Sequence, residues 1–310
     1  MTDIAIAPEE TSAAPATHAR PAAFETVPVA PQIGAEVTGL KLSGSLDAAT
    51  VAALRRALLR YKVLFFRGQH HLDNAEHEAF GRLWGTPVPH PTVPAPDGTT
   101  LLELDSDHGG RANSWHTDVT FQAAYPNFGI LRGVVIPPVG GDTIWANTAL
   151  AYEKLPAPLK SLVDTLWTLH GNDYDYAAAR PPVDVDNHGA KRYREVFTSR
   201  LIEAEHPLVR VHPETGERAL VLGHFVKRII GFSTQDSNTL FDLLQRHILR
   251  PENTVRWRWT QGDLVIWDNR ATQHYALNDY GEQKRVVRRV TIAGEPAISV
   301  DGRASIARSE

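Results

Sequence analysis

The chain contains no cysteine, which excludes disulfides, thiolate metal sites and a cysteine nucleophile and leaves any metal ion to His, Asp and Glu. It also lacks a basic excess. Its 32 Lys and Arg stand against 36 Asp and Glu, a net charge of -4, so nucleic acid is not an expected partner. No apolar run approaches the roughly 18 residues of a membrane span, and the first residues lack the basic and apolar regions of a signal peptide. A soluble, cytoplasmic protein without a membrane partner is therefore expected. What is present is core material: 42% of the 310 residues are hydrophobic and 22% charged, enough for one large globular domain or two smaller ones.

Residues 1–23 are rich in Ala, Pro, Thr and Glu and have no apolar period, so a disordered tail is expected there, followed by a single domain over 24–310. Short strands are expected at 26–29 and 35–40, a helix at 45–61 capped by Ser45 or Asp47, a buried strand at 63–66 and a helix near 74–84. Further on, the pattern predicts a strand at 129–136, a strand beginning at Thr143, helices at 148–155 and 157–166, and a strand pair at 206–211 and 219–222. An amphipathic helix at 233–249, a hairpin of 255–259 with 264–267 and a last strand at 285–292 complete the series. About ten strands without strand-helix alternation favour a mostly β fold with flanking helices, an antiparallel sandwich or jelly roll. The Pro-, Gly- and Asp-rich segment 92–112 and the aperiodic segment 173–199 read as lid insertions.

The chemistry starts at Ser114-Trp115-His116-Thr117-Asp118-Val119-Thr120-Phe121, a run suited to a strand. Side chains two apart leave a strand on one face, so His116 and Asp118 can converge on one ion. A neutral imidazole and a hard carboxylate suit Fe(II), and one more His would complete a facial triad with open positions. A zinc hydrolase could use the same ligand types. His274 supplies that imidazole after Trp267-Asp268-Asn269-Arg270, and Arg285 and Arg289 follow it by 11 and 15 residues. His90 lies in a proline-rich loop, and Thr143 follows the turn Gly140-Gly141-Asp142.

Together these motifs resemble the taurine dioxygenase and phenoxyacetate dioxygenase family of Fe(II)/α-ketoglutarate oxygenases, over nearly the whole chain after the tail. The resemblance extends to the family's alkylsulfatase branch through 90–94, 111–116, 223–228 and 253–259. It implies a double-stranded β-helix, the jelly roll of that family, and Fe(II) held by His116, Asp118 and His274, with no catalytic side chain beyond the metal centre. It implies that Arg285 pairs with the distal carboxylate of α-ketoglutarate, aided by Thr143, and that Arg289 meets the substrate or the proximal carboxylate. His90 would donate to a substrate sulfate or sulfonate, and Val119 would line its pocket. The implied reaction uses O2 and α-ketoglutarate to hydroxylate the carbon bearing the sulfate of a small anionic alkyl sulfate ester. Aldehyde and sulfate would leave, with succinate and CO2 as co-products. A homo-oligomer, dimer or tetramer, is also implied. The same chemistry on a sulfonate or an aryloxyalkanoate, a zinc hydrolase, and a non-catalytic jelly-roll binding protein stand as alternatives.

Overall fold

The computed structural model describes residues 24–96, 98–108, 112–173 and 194–309. The tail expected at 1–23 and most of the second expected lid, 174–193, lie outside the described residues. The strands are β1 (Glu25–Pro28), β2 (Ala35–Thr38), β3 (Val63–Phe66), β4 (Leu102–Asp105), β5 (Phe128–Val135), β6 (Thr143–Asn147), β7 (Trp167–Gly171), β8 (Glu203–Pro207) and β9 (Val209–Val211). They continue with β10 (Arg218–Leu220), β11 (Val226–Ile229), β12 (Thr254–Trp257), β13 (Leu264–Asp268), β14 (Thr272–Ala276), β15 (Val286–Ile292), β16 (Ile298–Ser299) and β17 (Ile306–Ser309). The helices that flank them are α1 (Ala48–Tyr61), α2 (Asn74–Arg82), α3 (Thr148–Glu153), α4 (Ala157–Val163) and α5 (Thr234–Ile248).

A seven-stranded sheet in the order β1-β2-β3-β13-β5-β15-β4 packs against the three-stranded sheet β12-β6-β14. The alternation of side chains along each strand explains why this pairing is stable. Val63 and Phe65 of β3, Val265 and Trp267 of β13, Leu131 of β5 and Val287 of β15 meet Trp145, Val255 and Trp257 between the sheets. Their alternating neighbours Leu64, Phe66, Leu264, Ile266, Ile130 and Val290 instead pack beneath Leu54 and Leu58 of α1 and Phe80 of α2. Both faces of β3 and β13 are thus covered, which is why they read as unbroken apolar runs. The sheets β11-β7-β8-β17 and β10-β9-β16 extend the molecule. The apolar face of α5, with Leu240, Phe241, Leu244 and Ile248, packs with Leu208, Leu220 and Val226 of this region. The fold is the expected jelly roll, mostly β with few helices.

Four local expectations are corrected. The expected hairpin of 255–259 with 264–267 does not form: β12 pairs with β6 in the small sheet, and β13 pairs with β3 and β5 in the large one. The span 92–112 contains β4, an edge strand paired with β15, so residues 102–105 belong to the main sheet and not to a lid. Strands β7 and β11 were not expected; β7 turns the polar side chains of Thr168 and His170 inward, so its buried face carries no apolar alternation. The run 114–121 is not a strand: His116 forms an isolated bridge with His274, and the chain then turns. Among the two candidate caps of α1, Asp47 is the one used, accepting from the Thr50 N–H at 2.8 Å.

Candidate active site

The backbone brings the two histidines together. His116 N–H donates to the His274 carbonyl at 3.0 Å and His274 N–H to the His116 carbonyl at 2.8 Å, a pairing that sets the rings side by side with centroids 4.1 Å apart. Past Asp118 the chain enters a left-handed conformation at Val119, φ 59°, and leaves the extended path. His116 Nε2 lies 3.6 Å from Asp118 Oδ1, and His274 Nε2 lies 3.9 Å from Asp118 Oδ2. One ligand atom from each of the three lies within 4.8 Å of the others, all three residues being buried.

The protonation states suit a cation. His116 Nδ1 faces the Ser114 carbonyl at 2.7 Å and so carries the proton, leaving the Nε2 lone pair free. Burial, then His116, push His274 well below the ordinary imidazole pKa, so it is neutral. Burial alone would raise the Asp118 carboxyl, but Arg289, then His274 and His116, hold it well below the usual carboxylate range. Its Oδ1 accepts from Arg289 Nη1, while the buried Oδ2 accepts no hydrogen bond among the described residues. An orphaned, ionised carboxylate oxygen beside two imidazole nitrogens is costly unless an ion completes it. These residues fit a divalent metal.

A pocket beside this group is lined by His116, His274, Thr143, Arg285 and Arg289, together with Leu131, Trp267, Tyr280 and Val287. Arg285 is 5% exposed and has no carboxylate partner among the described residues. Its Nε donates to the Gly141 carbonyl at 3.1 Å, whereas its buried Nη2 donates to nothing there. Gly141 stands at φ +72°, and a Cβ on it would come within 2.9 Å of Arg285 Cδ and Nε, so this close approach needs glycine. Thr143 Oγ1 accepts from Trp259 Nε1 at 3.0 Å, which leaves the threonine hydroxyl hydrogen to give to a further acceptor. A buried guanidinium with an orphan donor, next to a hydroxyl, fits one end of a dicarboxylate. Arg289 lies four residues along and lines the same pocket, yet it also pairs with Asp118, a contact the sequence did not reveal.

His90 does not line that pocket. It is half-buried, with ring contacts to Phe121 at 6.2 Å and Phe197 at 5.3 Å. Its Nδ1 accepts from the Val93 N–H at 3.1 Å and the Thr92 N–H at 3.3 Å, so Nε2 carries the hydrogen and is available to an acceptor. Burial, then the Arg289 charge, lower its pKa to about 3, so it is neutral near pH 7. Val119 packs with Phe121, Ile202, Phe225 and Phe197 in an apolar cluster, and Phe225 also touches the His116 ring at 6.2 Å. Sequence reasoning did not find Trp259, Tyr280 or this phenylalanine group. Trp259, Phe121 and Phe225 stand within motif stretches that give them no site role, and only the fold brings them to the site.

Comparison with known proteins gives a consistent set of similarities. The family described as taurine catabolism dioxygenase TauD, TfdA family matches residues 25–291. The chain is 60% identical over 295 residues to an α-ketoglutarate-dependent sulfate ester dioxygenase of Pseudomonas putida, covering 95% of this chain and 97% of that one. It is 57% identical over 272 residues to an alkylsulfatase of Acinetobacter baylyi, covering 87% and 85% respectively. Among solved structures, a taurine dioxygenase from Burkholderia xenovorans superposes with a TM-score of 0.79 at 40% identity, covering 93% of this chain and 95% of its own.

Proposed function

The chain belongs to the TauD/TfdA family of α-ketoglutarate-dependent dioxygenases, and from that premise we propose that it oxidises small alkyl sulfate esters. In this reading His116, Asp118 and His274 hold Fe(II), and Arg285 and Thr143 hold the distal carboxylate of α-ketoglutarate. When bound, the iron and keto acid together supply O2 activation and transfer of a hydroxyl to the substrate carbon, with succinate and CO2 as products. Everything else is positioning by the chain's own residues.

The observation that carries the substrate reading is the balance of buried charge. Asp118 contributes one negative charge and Arg285 and Arg289 one positive each, while an imidazole that ligates a metal does so in its neutral form. A divalent ion leaves a net excess of three positive charges in a site that tolerates unpaired charge poorly. The keto acid offsets two of them, and a monoanionic substrate offsets the third. His90 Nε2–H and Arg289 supply donors for the anionic head, and the Val119, Phe121, Phe197 and Phe225 cluster offers apolar surface for the alkyl tail. The names of two relatives above half identity, a sulfate ester dioxygenase and an alkylsulfatase, support the same substrate class.

Hydroxylating the carbon that bears the sulfate oxygen makes a hemiacetal sulfate. Its hydroxyl proton is lost as the C–O bond to sulfate breaks, giving aldehyde and sulfate, so sulfate leaves by oxidation and not by hydrolysis. The test is to strip metal with a chelator and restore with Fe(II) or Zn(II), with and without α-ketoglutarate, assaying sulfate from octyl sulfate and succinate from a taurine control. The proposal expects sulfate only with Fe(II) and keto acid together, and no succinate above background with taurine. Restoration by Zn(II) without keto acid would replace it with a hydrolase.

A further inference from the structure

The turn that carries Asp118 is held at both ends by buried side chains that lie outside the ligand set and the keto-acid pocket. Before it, the Asn269 amide meets both polar groups of the Asp118 backbone. Asn269 Oδ1 accepts from the Asp118 N–H at 2.9 Å, and Nδ2 donates to the Asp118 carbonyl at 3.1 Å and to the Pro126 carbonyl at 2.9 Å. The side chain thus replaces a neighbouring strand where the bridge has ended. After it, His206 Nε2 donates to the Thr120 carbonyl at 2.6 Å, its Nδ1 sitting 2.7 Å from the Ser305 hydroxyl. His170 Nδ1 adds a contact to Thr120 Oγ1 at 2.9 Å. Asn269 and Thr120 are 1% exposed and both histidines 0%. Between the two clamps stands Val119 at φ 59°. A β-branched residue adopts that region only when its surroundings over-determine it.

We propose that Asn269 and His206 are positioning residues for the metal centre: they hold the Asp118–Thr120 turn in its left-handed form and so keep Asp118 Oδ2 turned toward the ion. The proposal rests on the reading of Asp118 as a metal ligand. Without the Asn269 donors, the two carbonyls they satisfy lose their partners and the turn relaxes toward an extended path, which swings the carboxylate away from the imidazoles. Asn269→Asp keeps the shape but removes both donors and sets a carboxylate oxygen against two carbonyls. His206→Leu removes the donor to Thr120, whereas His206→Gln can return an N–H to the same carbonyl.

The experiment titrates the metal-free full-length variants with Co(II), whose visible d–d absorption reports coordination geometry, alongside thermal unfolding of the same samples. Asp118→Ala is measured first. If it binds Co(II) with wild-type affinity and spectrum, the ligand reading fails and the inference falls with it. With that control passed, Asn269→Asp and His206→Leu are expected to weaken Co(II) about 10- to 100-fold with an altered spectrum. His206→Gln is expected to recover most of the affinity. Asn253→Asp places the same charge on another buried asparagine, one that donates to the His247 carbonyl, and is expected to bind as wild type. Co(II) affinity within twofold of wild type in both Asn269→Asp and His206→Leu would overturn the proposal while leaving Asp118 a ligand. Equal loss in His206→Gln and His206→Leu would overturn the role of the His206 hydrogen bond. Should Asn269→Asp fail to fold, the His206 pair still decides.

Discussion

At the scale of single residues, the site is defined by groups left unsatisfied: Asp118 Oδ2 and Arg285 Nη2 are buried without a hydrogen-bond partner among the described residues. Each such group costs on the order of 1–3 kcal/mol, so both point to what the site is built to receive. Arg285→Ala should therefore weaken α-ketoglutarate about 100-fold or more while leaving Mn(II) affinity nearly unchanged, as isothermal titration with each ligand would show. Equal loss of both would remove the assigned role. Gly141→Ala should act through the same arginine: the left-handed backbone costs about 1–2 kcal/mol and the new methyl crowds Arg285 Cδ. The expected outcome is a melting temperature lowered by a few degrees together with weaker keto-acid binding. The chemistry-bearing side chains were readable from the sequence, because His116-x-Asp118, His274 and the two arginines keep a linear spacing. Asn269 was readable only as part of a motif, since its task is a hydrogen bond 151 residues away in the chain.

At the scale of elements, two strands that face both ways organise the molecule. β3 and β13 show their apolar character in sequence and were expected, while β7 was hidden because its inward face carries Thr168 and His170 bound to Thr120 and His206. The turn after His116 was hidden for a related reason. Local pattern favours a strand there, and tertiary hydrogen bonds from Asn269 and His206 decide otherwise. The helical turn bearing Phe197 and the loop bearing His90 meet through tilted rings with centroids 5.3 Å apart, and Phe197 lies edge to face with Phe121 of the apolar cluster. Phe197→Ala should lower kcat/KM for octyl sulfate about ten-fold and for ethyl sulfate far less, since only the longer chain reaches the lost surface. A uniform loss across chain lengths would assign Phe197 to the fold instead of to substrate binding.

At the scale of the whole molecule, buried neutral histidines tie stability to pH. Burial lowers His77 to about 3 and His206 to about 4, against an ordinary value of 6.5. The unfolded chain then binds more protons than the folded one as pH falls below 6.5, so stability drops through that window. Each histidine should cost about 2 kcal/mol between pH 7 and pH 5. The depressed Asp118 and Asp268 carboxylates act in the same sense, but their contribution is lost only as pH falls below the ordinary carboxylate pKa, which leaves this window to the histidines. Urea unfolding of the metal-free protein should show a midpoint falling steadily from pH 7 to 5; a flat midpoint would contradict the neutral, buried state of these rings.

The central claim, that sulfate is released by oxidation, is tested most directly by turnover of octyl sulfate in 18O-labelled water with Fe(II), α-ketoglutarate and O2. The account predicts equimolar sulfate and succinate, aldehyde as the organic product, and no solvent 18O in the sulfate, because the bond that breaks is carbon to oxygen after hydroxylation. Octanol with sulfate, formed without succinate or with sulfate carrying solvent oxygen, would contradict it.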